Sequence, residues 1–331
     1  MKTAGRTAIY ALGHFLIDFL CAWGMFRFCR QWDGWMTAVL LYNFCAFALQ
    51  MPLGLVADRL GAERSFAVLG CALTLGACLL LQEAPPAFAV AAGLGNALYH
   101  VGGGVAVLHA YPKRAGPLGL FVSPGAFGIY FGTLAGKSAS LPLYPALAVT
   151  GLCALAILFL CKGEKAPALD VDARGAGTAA ILCLFLVVCL RSWLGFLFTF
   201  PWKTGTWALL AVCGVVLGKT AGGYVSDRFG AKWASAASLG LAAVLFLLSS
   251  NPICGTLAIF LFNMSMPITL RGAADALPGM PGFSFGLLTF ALFLGFLPTW
   301  LGIPGPAEGW FLSLGAALSL ALLLPGLRKA P

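Results

Sequence analysis

Gly54-Leu55-Val56-Ala57-Asp58-Arg59-Leu60-Gly61-Ala62 closes a long apolar run, and Gly223-Tyr224-Val225-Ser226-Asp227-Arg228-Phe229-Gly230-Ala231 closes another about half a chain length later. Both read Gly-x-Val-(Ala/Ser)-Asp-Arg-x-Gly-Ala. Self-similarity at half the length of a chain means two copies of one structural unit. The apolar runs that lead into both copies are long enough to cross a bilayer, so the repeat is a membrane bundle.

Working outward, 60% of the 331 residues are apolar and 9% are charged, against roughly 25% charged in a soluble domain. A mean hydropathy of +0.93 excludes a water-soluble globule. Twelve apolar runs fall near 7–26, 35–57, 65–82, 86–109, 116–136, 141–161, 178–200, 205–226, 233–250, 253–272, 283–302 and 308–326. Each matches the roughly 20 residues that span a hydrocarbon core about 30 Å thick. The connections are too short to hold a soluble domain. The first run follows Lys2 and Arg6 but is too long for a signal-peptide core and lacks a small-x-small cleavage site, so it reads as an uncleaved span.

The net charge of +9 is distributed by side. With the N-terminus in the cytoplasm, most Lys and Arg fall on cytoplasmic segments, among them Arg59, Arg64, Lys113, Arg114, Arg228 and Lys232, while Arg27, Arg30, Lys137 and Lys203 fall outside. That is the positive-inside bias, and it sets both termini in the cytoplasm; a bacterial-type inner membrane is the expected location. The basic charge is therefore topological and implies no nucleic-acid partner. Trp23, Trp32, Trp35, Trp202, Trp207, Trp300 and Trp310 lie near the expected outer span ends, where amphipathic rings suit the headgroup region. The eleven cysteines are odd in number, form no CxxC pair and mostly lie inside spans; no disulfide, metal or cofactor chemistry is expected from them.

Six spans precede the polar segment 162–177 and six follow it. The expected organisation is an N-terminal half (1–161), a cytoplasmic linker (162–177) and a C-terminal half (178–331). An even number of spans per half gives both halves the same orientation, so the motif ends spans 2 and 8 on one side. Asn96 and Asn263 add a fainter match near the middle of spans 4 and 10.

Twelve spans in two parallel halves, with Gly-x-x-x-Asp-Arg-x-Gly after spans 2 and 8, resemble the major facilitator superfamily. Gly95-Asn96-Ala97-Leu98-Tyr99-His100, Leu190-Arg191-Ser192-Trp193 and Met266-Pro267-Ile268-Thr269-Leu270 are similar to the fosmidomycin-resistance efflux branch. The fifth span has a departure: it lacks the Gly-Pro-x-x-Gly-Gly ending of antiporters. The resemblance implies an all-α integral membrane fold with twelve transmembrane helices in two six-helix pseudo-symmetric halves. It also implies that spans 1, 4, 7 and 10 line a central cavity.

The polar residues agree. The bodies of spans 3, 6, 9 and 12 carry no charge, whereas spans 1, 4, 7 and 10 hold His14, Asp18, Asn96, His100, Arg191, Asn263 and Arg271. An ionised group in a bilayer core costs at least about 2.5–3.5 kcal/mol and so faces protein or water. Asp18 with His14 one turn earlier is a candidate for proton coupling, or else Asp18 pairs permanently with Arg191. Lys219 precedes Asp227 by the same spacing that separates Gln50 from Asp58, so the halves differ there by a cation. The candidate substrate site is Asp18, Asn96, His100, Arg191, Lys219 and Asn263; its excess of cations favours an anion. The resemblance further implies a gate. Asp58 would meet the start of span 11 near Gly282, Asp227 the start of span 5 near Gly116, with Gly54, Arg59, Gly61, Gly223, Arg228 and Gly230 completing the motif.

The expectation is a monomeric secondary transporter, not an enzyme, moving a small anionic organic solute by alternating access with proton-coupled efflux. Proton-symport import of an organic anion is the alternative within transport; a membrane receptor without transport is the alternative outside it. No zinc-binding His pair or nucleophile elbow appears that would serve a membrane enzyme.

Overall fold

A computed structural model of the chain describes residues 3–138, 143–161, 177–303, 305–306 and 308–327. The expected linker lies outside these residues except for Gly177. Among the described residues every regular element is helical. The helices are α1 Thr3–Cys29, α2 Trp35–Leu60, α3 Glu63–Leu80, α4 Pro85–Ala110, α5 Gly116–Ser138, α6 Tyr144–Leu160, α7 Thr178–Phe196, α8 Gly205–Phe229, α9 Ala231–Leu247, α10 Pro252–Ala276, α11 Pro281–Trp300 and α12 Gly309–Gly326. Ten are long and apolar enough to cross a membrane. The other two, α6 and α9, have 17 residues each, about 25 Å of helix, slightly under the thickness of a hydrocarbon core.

Local sequence accounts for the irregularities. The α5 ladder breaks at Ser123 and the α10 ladder at Met264, where Pro124 and Pro267 remove backbone donors from the following turn. Single π turns interrupt α1 at Met25–Cys29 and α2 at Phe44–Ala48. Helix α2 runs past the expected end at 57 to Leu60, and α8 past 226 to Phe229, so the motif aspartates sit in the last helical turns. Gly61 (φ 58°, ψ 38°) and Gly230 (φ 92°) end these helices in backbone that favours glycine.

Contacts gather the chain into two compact units. The first comprises Met1–Ala110, Pro124–Asp170 and Gly279–Phe290; the second comprises Tyr111–Ser123, Val171–Pro278 and Ala291–Pro331. In the first, the α5 glycines 128, 132 and 136 lie against the backbone carbonyls of Phe15, Phe19 and Trp23 on α1. In the second, Gly218 and Gly222 of α8 lie against the carbonyls of Phe260 and Met264 on α10. Small residues let membrane helices approach to backbone contact, which is how such bundles gain packing energy without a hydrophobic driving force. The most deeply buried spans, α1 and α4, carry the polar cluster described next.

Candidate functional site

Within the first unit, His14 and Asp18 stand one turn apart on α1, and Asn96 and His100 one turn apart on α4. An i,i+4 spacing puts each pair on one helix face, and the two faces meet. All four side chains are buried. Asn96 Nδ2 donates to Asp18 Oδ1 at 2.8 Å. His14 Nε2 lies 3.2 Å from Asp18 Oδ2, His100 Nε2 lies 3.8 Å from Asp18 Oδ1, and the two imidazole Nε2 atoms are 2.8 Å apart. His100 Nδ1 is 2.8 Å from the Asn96 carbonyl oxygen. A carbonyl can only accept, so Nδ1 carries a hydrogen, and a neutral His100 turns its Nε2 lone pair into the cluster.

Two glycines make this meeting possible. A Cβ at Gly13 would overlap the Tyr99 hydroxyl, which donates to the Tyr10 carbonyl at 2.8 Å and sets α1 against α4. A Cβ at Gly125 of α5 would overlap His14 Nε2 and Asp18 Oδ2. The sequence shows Gly125 only as one member of a glycine-rich span; its partners come from α1.

The second unit holds the cationic candidates. Arg191 on α7 is buried, and its Nη1 has no hydrogen-bond partner among the described residues. Lys219 on α8 is half-buried and its Nζ donates to the Val122 carbonyl at 3.4 Å. The Cβ position of Gly218, next to Lys219 in sequence, is 3.2 Å from Asn263 Cβ. Asn263 Nδ2 donates to Ile259 O of its own helix at 2.8 Å. Arg271 pairs with Asp275 one turn on. Between α7 and α8, Lys203 donates to the Phe198 carbonyl at 2.9 Å, and desolvation lowers its pKa.

The repeated motif forms two matched clamps, each within one unit. In the first, Asp58 Oδ1 accepts from Gly282 N at 2.7 Å and Oδ2 from Phe283 N at 2.8 Å. One turn earlier, Gly54 abuts Gly282 backbone to backbone, and two turns earlier the Gln50 carbonyl abuts Gly286. In the second, Asp227 accepts from Ala115 N at 2.7 Å and Gly116 N at 2.9 Å. Gly223 abuts Ala115 and Gly116, and the Lys219 carbonyl abuts Gly119. Each carboxylate thus takes two orphan N–H donors at a helix start, where the macrodipole favours a negative charge.

Arg59 and Arg228 are exposed, while Arg114 lies 3.7 Å from Asp227. Lys113, beside it, takes a left-handed φ of 66° as the chain turns into α5. Beside the first clamp, His109 lies 3.7 Å from the buried Glu63. Sequence reading gave Glu63, Gly119 and Gly286 no role and took Arg114 only as a topological charge; none of the four belongs to the repeated string.

No protein-family profile and no curated protein matches the sequence. Solved structures do. The E. coli fucose:proton symporter FucP matches over 98% of both chains with a TM-score of 0.67 and 16% identity. The proton:xylose symporter XylE, bound to 6-bromo-6-deoxy-D-glucose, matches over 98% of this chain and 95% of its own, with a TM-score of 0.68 and 13% identity. A bacterial homologue of the iron transporter ferroportin matches over 99% and 98%, at 0.62 and 15%. The chain has the twelve-helix fold of the major facilitator superfamily transporters.

Proposed function

We propose that the chain is a secondary active transporter of a small organic anion, working as a monomer by alternating access with proton coupling. The observation that carries the anionic assignment is Arg191, buried with its Nη1 unpartnered. Burying a guanidinium without a partner costs several kcal/mol. A carboxylate or phosphonate supplies acceptors matched to its fork. Lys219 and Asn263 offer further polar side chains in the same unit.

The transport class is supported by the fold, since the solved proteins that share it are transporters by name, two of them proton symporters. Coupling is supported by His14 and Asp18, where a carboxylate and two imidazoles can pass a proton along short hydrogen bonds. The clamps at Asp58 and Asp227 support a gate that opens and closes on the side of the membrane carrying the positive charge. We place that side in the cytoplasm of a bacterial-type inner membrane, with both termini there. Export, as in the fosmidomycin-resistance branch, is the first reading of direction. Import by proton symport is the second, favoured by the missing antiporter ending in α5.

Flux of radiolabelled organic anions into liposomes, with and without an imposed pH gradient, tests the proposal. Wild-type protein should move an anion faster with the gradient. Asp18→Asn should abolish that acceleration, and Arg191→Ala should remove anion uptake. Anion flux that survives Arg191→Ala unchanged would remove the anionic assignment.

A further inference from the structure

The chain contains three histidines, and two of them meet one carboxylate inside the first unit. We propose that His14, Asp18 and His100 form a binding site for a divalent first-row transition metal ion. Three observations carry this. First, one ligating atom from each residue lies within 4.8 Å of the others. His14 Nε2 lies 2.8 Å from His100 Nε2 and 3.2 Å from Asp18 Oδ2, while His100 Nε2 lies 3.8 Å from the other carboxylate oxygen, Oδ1. Ligands about 2.0–2.2 Å from a zinc-like ion stand roughly 3.0–3.5 Å apart, so the two separations measured from His14 Nε2 lie close to what a shared ion requires.

Second, the His100 Nε2 lone pair already points inward. The Asn96 carbonyl holds the proton on His100 Nδ1, leaving Nε2 as the ligand atom. A metal-bound histidine ordinarily shows this outer hydrogen bond, which fixes its tautomer and ring orientation. Third, Asn96 also fixes the carboxylate through Nδ2, while its own Oδ1 is buried without a hydrogen-bond partner among the described residues. Two imidazoles and one carboxylate select Zn²⁺, Co²⁺, Fe²⁺ or Ni²⁺ over Mg²⁺ and Ca²⁺, which prefer all-oxygen shells.

The site was not legible as a motif, because its ligands come from two spans with over eighty residues between His14 and His100. The inference does not rest on the transport reading. A proton and a metal ion compete for the same nitrogen lone pairs, and metal binding is read without any flux.

The experiment is a Co²⁺ titration of the purified full-length protein in detergent, followed by visible absorption, with Zn²⁺ as competitor. The expected result is one Co²⁺ per chain, displaced by Zn²⁺, with bands of nitrogen and oxygen ligation. His14→Ala, His100→Ala and Asp18→Asn should each weaken binding by about tenfold or more, and His109→Ala should leave it unchanged. His100→Gln, which keeps the side-chain volume, separates ligand loss from misfolding; it should remain monodisperse and still lose Co²⁺. Three results would each overturn the proposal: no Co²⁺ bands in wild-type protein, sulfur charge-transfer bands assigning the ion to cysteines, or undiminished binding in His100→Gln and Asp18→Asn.

Discussion

The buried cluster shows how a single missing methyl can hold a site open. Gly125 faces His14 Nε2 and Asp18 Oδ2 so closely that any Cβ would occupy their space. Gly125→Ala must push α5 away from α1 or turn the imidazole off its partner. Overpacking of this kind costs about 1–3 kcal/mol. The variant should therefore melt earlier in detergent and lose pH-gradient acceleration of flux. Gly151→Ala in α6, where a Cβ meets nothing within 4 Å, is the matched control; alanine's helix propensity should leave it neutral or stabilised by up to about 1 kcal/mol. Equal melting temperatures for the two variants would count against the steric argument. At this scale the sequence is half legible. The spacings of His14 to Asp18 and Asn96 to His100 are visible as one helical turn. The meeting of the two pairs is not, because it depends on Gly13 admitting the Tyr99 hydroxyl across a tertiary contact.

At the scale of elements, hydropathy finds all twelve helices and misplaces their ends by a few residues. The motif turns are the informative miss. Polar residues after 57 and 226 suggest loops, yet the backbone stays helical to Leu60 and Phe229 because nothing breaks the ladder before Gly61 and Gly230. The prolines that interrupt α5 and α10 stand in plain view, but their runs are apolar on both sides and hydropathy passes over them. Helical geometry through the last turn is what aims Asp58 at the start of α11. Its two hydrogen bonds there are charge-assisted, a class worth about 1.5–3 kcal/mol each. Asp58→Asn keeps one acceptor and turns an amide N–H toward a backbone N–H. The amides of Gly282 and Phe283 should then exchange with deuterium faster, and turnover should fall more than substrate affinity. Gly54→Val should act in the same direction by forcing α2 off the Gly282 backbone. A loss of affinity as large as the loss of turnover in both variants would sink the clamp as a gate and leave it a packing device.

At the scale of the whole molecule, the duplication is legible and the grouping of contacts is not. Residues 111–123 gather with the C-terminal spans and 279–290 with the N-terminal spans, because Gly223 and Asp227 hold the start of α5 while Gly54 and Asp58 hold the start of α11. These attachments are made by backbone carbonyls and N–H groups, which a residue string does not display. The global stability of the folded chain gives a last prediction, about substrate charge. Arg191 is buried with an unsatisfied donor, a cost to the fold that an anionic ligand would offset. Replacing a buried, poorly paired charge with an apolar residue of similar volume is often neutral or stabilising by about 1–4 kcal/mol. Arg191→Met should therefore melt at the wild-type temperature or above. A ligand that binds only the folded state adds about 2.7 kcal/mol at a hundred times its dissociation constant. Small carboxylates and phosphonates, screened by thermal melting in detergent, should include compounds that raise the wild-type midpoint by several degrees. None of those compounds should move Arg191→Met. Neutral sugars, the solutes named for two of the proteins sharing this fold, provide the opposing arm. A sugar that stabilised both proteins equally would assign the substrate to the uncharged class and leave Arg191 a structural residue.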